Sequence, residues 1–271
     1  MRGLTGKVGI VTGATKDMGG AVAERLAAEG VSVLCCGRNS DRGEQWAARI
    51  RANGGEAQFV CVDVGIEEHV RHAIDSTLAK FGRLDIVVNL AAATDVGRAG
   101  GIKRVTDETK EGLLLQFNIN FIGPFWFYKY AIPQMQKIGG GNFINVSSLA
   151  ATKAFPGLTA YSTSKAALEA LSRQVAVDYC DSNIRSNCIG VGAIRVSDSA
   201  VLHDHPVAGP ALRQAQIISR PGAPDDVASM VAFLASDESS FISGEVLPVD
   251  GGALVKHFVP DIARVYRENA R

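Results

Sequence analysis

Two periodicities alternate along the chain. Near-continuous apolar runs at residues 7–12, 31–36, 58–62, 86–89, 142–146, 184–189 and 245–249 read as strands buried on both faces. Between them, apolar residues recur at helical spacing, as at Val22, Leu26 and Ala27. These segments predict helices over 18–30, 41–52 (capped by Ser40 or Asp41), 67–81, 107–137, from about Ala160 onward, and over 225–235. Strands separated by helices specify an α/β fold: a doubly wound parallel seven-stranded sheet, helices on both faces, joined by right-handed crossovers. No repeat or linker interrupts the pattern, so the 271 residues read as one domain.

Composition narrows the function classes. Lys plus Arg balances Asp plus Glu at 28 each, so no basic face is implied and nucleic acid is not an expected partner. No apolar stretch is long enough for a signal peptide or a membrane span, and the expected location is cytoplasmic. Five cysteines (Cys35, Cys36, Cys61, Cys180, Cys188) form no Cys-x-x-Cys pair and are expected to be reduced, in or near the core. The Asn145-Val-Ser147 match to a glycosylation site falls in an expected buried strand and is dismissed. His203 and His205 are expected at the surface, with no metal-site spacing.

Candidate chemistry sits in two stretches. The turn Thr12-Gly-Ala-Thr-Lys-Asp-Met-Gly-Gly follows the first strand, where backbone N–H groups and a helix N-terminus can receive a pyrophosphate, as in a Rossmann-type site. Further on, Tyr161 and Lys165 lie four residues apart on one helix face. A phenol normally titrates near ~10, and an adjacent ammonium is expected to lower that value.

With Thr12, Gly13 and Gly19, the chain carries Asp63-Val64, Asn89 before Ala91, Asn120 three residues before Gly123, Ser148, Tyr161 with Lys165, Asn187 before Gly192, and Asp250-Gly-Gly252. In this order they resemble the short-chain dehydrogenases/reductases over roughly residues 4–254. The resemblance implies one NAD(P)-binding Rossmann-type domain over 1–271, with a substrate loop at about 192–219 and a C-terminal extension at about 253–271. It implies Tyr161 as general acid in reduction and base in oxidation. Lys165 then lowers the phenol's pKa and holds the nicotinamide ribose, Ser148 bonds the reacting oxygen, and Asn120 supports a water-mediated proton path. Ser148 is preferred to Ser147 because the family's serine stands thirteen residues before its tyrosine. Cofactor contacts are implied at Gly13, Thr15, Lys16, Asp17, Met18, Gly19, Arg38, Asp63, Val64, Asn89, Ala91, Gly192 and Ile194, as well as at Tyr161 and Lys165.

In this family an acidic residue ending the second strand selects NAD; here that place holds Gly37, followed by Arg38. Arg38 and Lys16 are therefore expected to hold the 2'-phosphate of NADP(H), in preference to NAD(H). Departures from the family pattern are also present. Asp17 replaces a glycine, where a carboxylate could cap the helix and repel the phosphates by ~3 kcal/mol at 5 Å and an effective dielectric near 20. Val196 replaces a threonine that often bonds the nicotinamide amide, with Ser197 or Ser199 as substitutes. The expected substrate is a ketone or secondary alcohol; the alternative is a cofactor-binding scaffold or sensor with weak or no turnover. The apolar run at residues 113–130 points to association, as a homotetramer or homodimer. Phe258, Ile262 and Val265 are spaced for an amphipathic helix in the extension.

Overall fold

The computed structural model describes residues 1–93 and 102–257. Seven strands, β1 (Val8–Thr12), β2 (Ser32–Gly37), β3 (Ala57–Cys61), β4 (Ile86–Asn89), β5 (Gly141–Ser148), β6 (Ile184–Val191) and β7 (Val246–Val249), form one parallel sheet. Its order is β3-β2-β1-β4-β5-β6-β7, so the winding direction reverses between β1 and β4. The connecting helices are α1 (Asp17–Ala28), α2 (Ser40–Ala52), α3 (Glu67–Phe81), α4 (Lys110–Phe117), α5 (Gly123–Lys137), α6 (Thr159–Asp178), α7 (Ala200–Asp204), α8 (Ala208–Gln214) and α9 (Pro224–Ala235).

Alternation along each strand builds two cores. On one face Val11, Cys35, Val88, Val146 and Ile189 pack with Val22 and Leu26 of α1 and Val227 and Val231 of α9. On the other, Ile10, Leu34, Val87 and Phe143 meet Val70 and Ile74 of α3 and Phe127 and Met135 of α5. The pairing Val11↔Cys35 and Val11↔Val88 keeps like faces together, and a one-residue slip would send every side chain into the opposite core.

Several expectations need correction. The helix predicted over 107–137 is broken: α4 runs into a π turn at Asn118–Ile122, and α5 follows. The wider turn places Asn120 in the interior, and the two flanking helices continue the chain. The second helix is capped one residue earlier than predicted, by Asn39, whose side chain accepts from the Arg42 N–H. Cys61 and Cys180 are exposed, the first ending an edge strand and the second in a turn after α6, whereas Cys35, Cys36 and Cys188 are buried. His203 is buried in α7, contrary to expectation, while His205 is exposed and accepts from the Val207 and Ala208 amides. The predicted helix of the extension, and residues 94–101 of the preceding loop, lie outside the described residues.

Candidate active site

The cleft forms at the carboxyl ends of β1 and β4, where strand order reverses and the helices of the two halves diverge. Thr12 closes its floor. Its hydroxyl accepts from the Leu90 and Ala91 amides at 2.9 and 3.0 Å and donates to the Val88 carbonyl at 3.2 Å. Gly13 turns the chain with φ +74, and a Cβ there would sit 3.1 Å from the Ala91 backbone. A Cβ on Gly19 would lie 2.2 Å from the Gly13 carbonyl oxygen, so this glycine lets α1 start directly against the turn. These close approaches leave backbone and a helix N-terminus facing the cleft, a cradle that fits a pyrophosphate.

Around that turn Thr15 is buried, Met18 packs against the core, Val64 is buried, and Asp63 accepts the Gly65 N–H on its carboxylate. Gly192 donates to Val249 O, and buried Ile194 bridges to Gly222. Asn89 departs from its expected part. It is buried and donates to Asn145 Oδ1 at 2.9 Å, so it braces the floor from within.

Strand β5 and helix α6 bring the reactive groups together. Successive residues of a strand face opposite ways, and Ser147 points into the core to bond Glu169 at 2.7 Å. Ser148, the last residue of β5, accepts the Ala150 N–H and hydrogen-bonds the Tyr161 phenol. Lys165 is 2% exposed; its Nζ donates to Val146 O at 2.7 Å and stands 5.9 Å from the Tyr161 ring centroid. Burial drives its pKa down to about 8. Burial also pushes the Tyr161 phenol upward, against a downward pull from Ser148. The phenol lowered by Lys165, as expected from helical spacing, is therefore not what the free protein shows: desolvation exceeds the charge effect.

Asn120, fully buried in the π turn, accepts from Ala93 N at 3.1 Å and donates to Gln116 Oε1 and Ser164 Oγ at 2.9 Å. Its carboxamide ties the β4 end to α6 and makes no bond to Lys165 itself. Gln116 and Ser164 were not singled out from sequence; only the π turn, invisible in periodicity, brings them to Asn120.

The lid changes the reading of the glycine turn. Asp17 does not cap α1; its carboxylate accepts the Ser197 amide at 2.5 Å, and these bonds hold its pKa below the usual carboxylate value although burial opposes them. Lys16 pairs with Asp198. Ser199 spends its hydroxyl on the Ile194 and Val196 carbonyls and on the Val196 amide, so it is no substitute for the missing threonine. At the end of β2, a Cβ on Gly37 would meet Thr15 Cγ2 at 2.5 Å, which excludes a carboxylate there without rearrangement. Arg38 next to it has a guanidinium with no ion-pair or hydrogen-bond partner among the described residues. A cavity of about 550 Å³ between α9, β7 and residues 216–222 touches Ile194 but none of Ser148, Tyr161 or Lys165, so it is separate from the reacting groups. Among the described residues no His/Cys/Asp/Glu cluster could hold a metal, and no helix is long and apolar enough to cross a membrane.

Known proteins share this architecture. Residues 13–253 match a family model described as enoyl-(acyl carrier protein) reductase. The chain is 33% identical to dehydrogenase/reductase SDR family member 4 of Bos taurus over 251 residues, 93% of this chain and 88% of the relative. It is 36% identical to a cyclopentanol dehydrogenase of a Comamonas species over 246 residues, 91% and 96% of the two chains. A solved 7α-hydroxysteroid dehydrogenase complexed with NADH and 7-oxo glycochenodeoxycholic acid superposes with a TM-score of 0.86 at 32% identity, covering 92% of this chain and 94% of that one. On the strength of a family model spanning most of its length and of such relatives, the chain belongs to the short-chain dehydrogenase/reductase family, oxidoreductases that use NAD(P)(H).

Proposed function

We propose that the protein interconverts a ketone and a secondary alcohol with NADP(H) as its cofactor. The observation that carries the cofactor choice is the end of β2, where Thr15 leaves no room for a side chain at Gly37 and Arg38 presents an unpaired guanidinium. A planar fork of N–H donors suits a phosphate ester. The solved relative bound with NADH shows that NAD(H) is the competing choice within the family. The expected result is tighter binding of NADPH than of NADH, followed by cofactor fluorescence. Arg38→Leu should weaken NADPH on the order of tenfold, the value of one charge-assisted hydrogen bond, and leave NADH unchanged. Equal losses for both cofactors would rule the assignment out.

The turn at Thr12–Gly19 and the ribose-facing pair Tyr161 and Lys165 would hold the dinucleotide, whose nicotinamide supplies or accepts the hydride when bound. Tyr161 gives its proton to the carbonyl oxygen as charge builds there, and Ser148 bonds the same oxygen. Burial, which raises the phenol's pKa, keeps that proton in place until it is needed in reduction. Lys165, anchored on Val146 O, supplies positive charge from beneath, and Asn120 fixes α6 relative to β4. Relatives named for cyclopentanol and for a 7α-hydroxysteroid support a secondary alcohol as the substrate class. A panel of ketones and alcohols, followed by absorbance of the reduced cofactor, tests it. The scaffold reading rested on Asp17, whose carboxylate is engaged by the lid amide.

Association is part of the same proposal. Leu113, Leu114, Leu115 and Phe125 on α4 and α5 are exposed in the single chain, an apolar face that a second subunit would cover. Sedimentation should give a dimer or tetramer; a monomer at micromolar concentration would dismiss this interface.

A further inference from the structure

We propose that Asp198 determines cofactor specificity by holding Lys16 on the lid in the free protein and yielding it to a 2'-phosphate. The inference rests on the NADP(H) reading above and adds a residue to it. Lys16 and Arg38 are the two cations expected at the phosphate, but they are not equivalent. Arg38 is unpartnered among the described residues, whereas the Lys16 ammonium is ion-paired with Asp198, from a segment 182 residues further along the chain.

The carboxylate is the fixed member of that pair. It sits in the short turn Ser197–Ser199, with the neighbouring Ser197 amide bonded to Asp17 and the turn closed by the Ser199 hydroxyl on the Val196 amide. Lys16 is the movable member, a long side chain at the start of α1 with no cap bond of its own. Neither partner is buried, their side chains being 38% and 47% exposed, so exchange of the ammonium for another anion needs no opening of the core. A phosphate monoester carries about −1.5 to −2 charge near pH 7 and outbids a single carboxylate for the ammonium.

Two ties therefore join the glycine turn to the lid, Asp17 to the Ser197 amide and Lys16 to Asp198. A cofactor bearing the 2'-phosphate breaks the second and keeps the first. One lacking it leaves both. Asp198 thus charges a selective cost to the phosphorylated cofactor, and its removal should sharpen the preference for it.

The test is a set of equilibrium titrations of NADPH and NADH, by cofactor fluorescence, on the wild-type protein, Asp198→Asn, Lys16→Met and the double variant. Asp198→Asn is expected to raise the ratio of NADPH to NADH affinity by about two- to fivefold, the range of an exposed ion pair. The double variant should show the same ratio as Lys16→Met alone, because without the ammonium there is nothing for Asp198 to withhold. An unchanged ratio in Asp198→Asn, with NADPH binding still sensitive to Lys16→Met, overturns this proposal alone. A rise that persists in the Lys16→Met background also overturns it, since Asp198 would then act through its general field. A wild-type preference for NADH with a ratio indifferent to Lys16→Met overturns the NADP(H) reading itself, and this proposal with it.

Discussion

Tyr161→Phe is expected to lower kcat for ketone reduction by about 10²- to 10⁴-fold, the usual contribution of a positioned general acid. The ring of phenylalanine refills the space beneath Ser148 and beside Lys165, so the cleft keeps its shape and only the transferable proton is lost. Cofactor affinity should stay within about twofold, since any ribose bond lost is a modest one in a site held by many contacts. The loss therefore belongs in kcat rather than in cofactor binding. Steady-state rates at saturating cofactor, beside direct titration, separate the two. Turnover surviving in the Phe variant would remove Tyr161 from the chemistry, because a phenyl ring has no proton to give.

Asn145→Ala should produce the largest loss of stability. Asn145 is fully buried in β5 and bonds across four elements: it accepts from Asn89, and its amide group donates to the Tyr128 phenol, Ser172 and the Asn187 carbonyl. Tyr128 and Ser172 are in turn bonded to Ser186 at 2.7 and 2.8 Å. Truncation leaves the Asn89 amide and the Asn187 carbonyl without a partner in a dry interior. At about 1–3 kcal/mol for each stranded group, a loss of roughly 3 kcal/mol follows. For a chain of this size that corresponds to a fall in Tm of roughly 6–12 °C by calorimetry. A shift under about 2 °C would mean that water readily replaces the carboxamide, and that the network contributes little.

That network also marks the limit of what can be read from sequence. The sheet was legible because strands buried on both faces are apolar nearly throughout, and the helices between them carry one apolar stripe. The register of the reactive stretch was legible too: spacing chose Ser148 over Ser147, and the structure turns Ser147 to Glu169. Asn89 and Asn145 carry no such signal. Each is a polar residue in an apolar run, and only the pairing of β4 with β5 sets them opposite each other. The same holds for the lid. Nothing near Lys16 in the sequence announces Asp198, and an expectation drawn from the local charge pattern assigned Lys16 to the phosphate alone. The π turn was hidden for another reason: the apolar periodicity of 107–137 survives one inserted residue, while the hydrogen-bond pattern does not. Burial of Tyr161 was likewise missed, so charge was given more weight than desolvation.

The bracing of Thr12 has a consequence for how the molecule comes into being. Its hydroxyl is held by amides 78 and 79 residues away, and β1 lies between β2 and β4, so the cofactor cleft is a long-range object from the start. A nascent chain that has emitted only β1, α1 and β2 owns the whole glycine turn but has no floor beneath it. Loop closure over such distances is slow compared with local helix formation. The dinucleotide therefore cannot template the first half of the fold. It can only trap the sheet once β4 has docked beside β1, which makes that docking the step at which added cofactor begins to accelerate recovery during refolding.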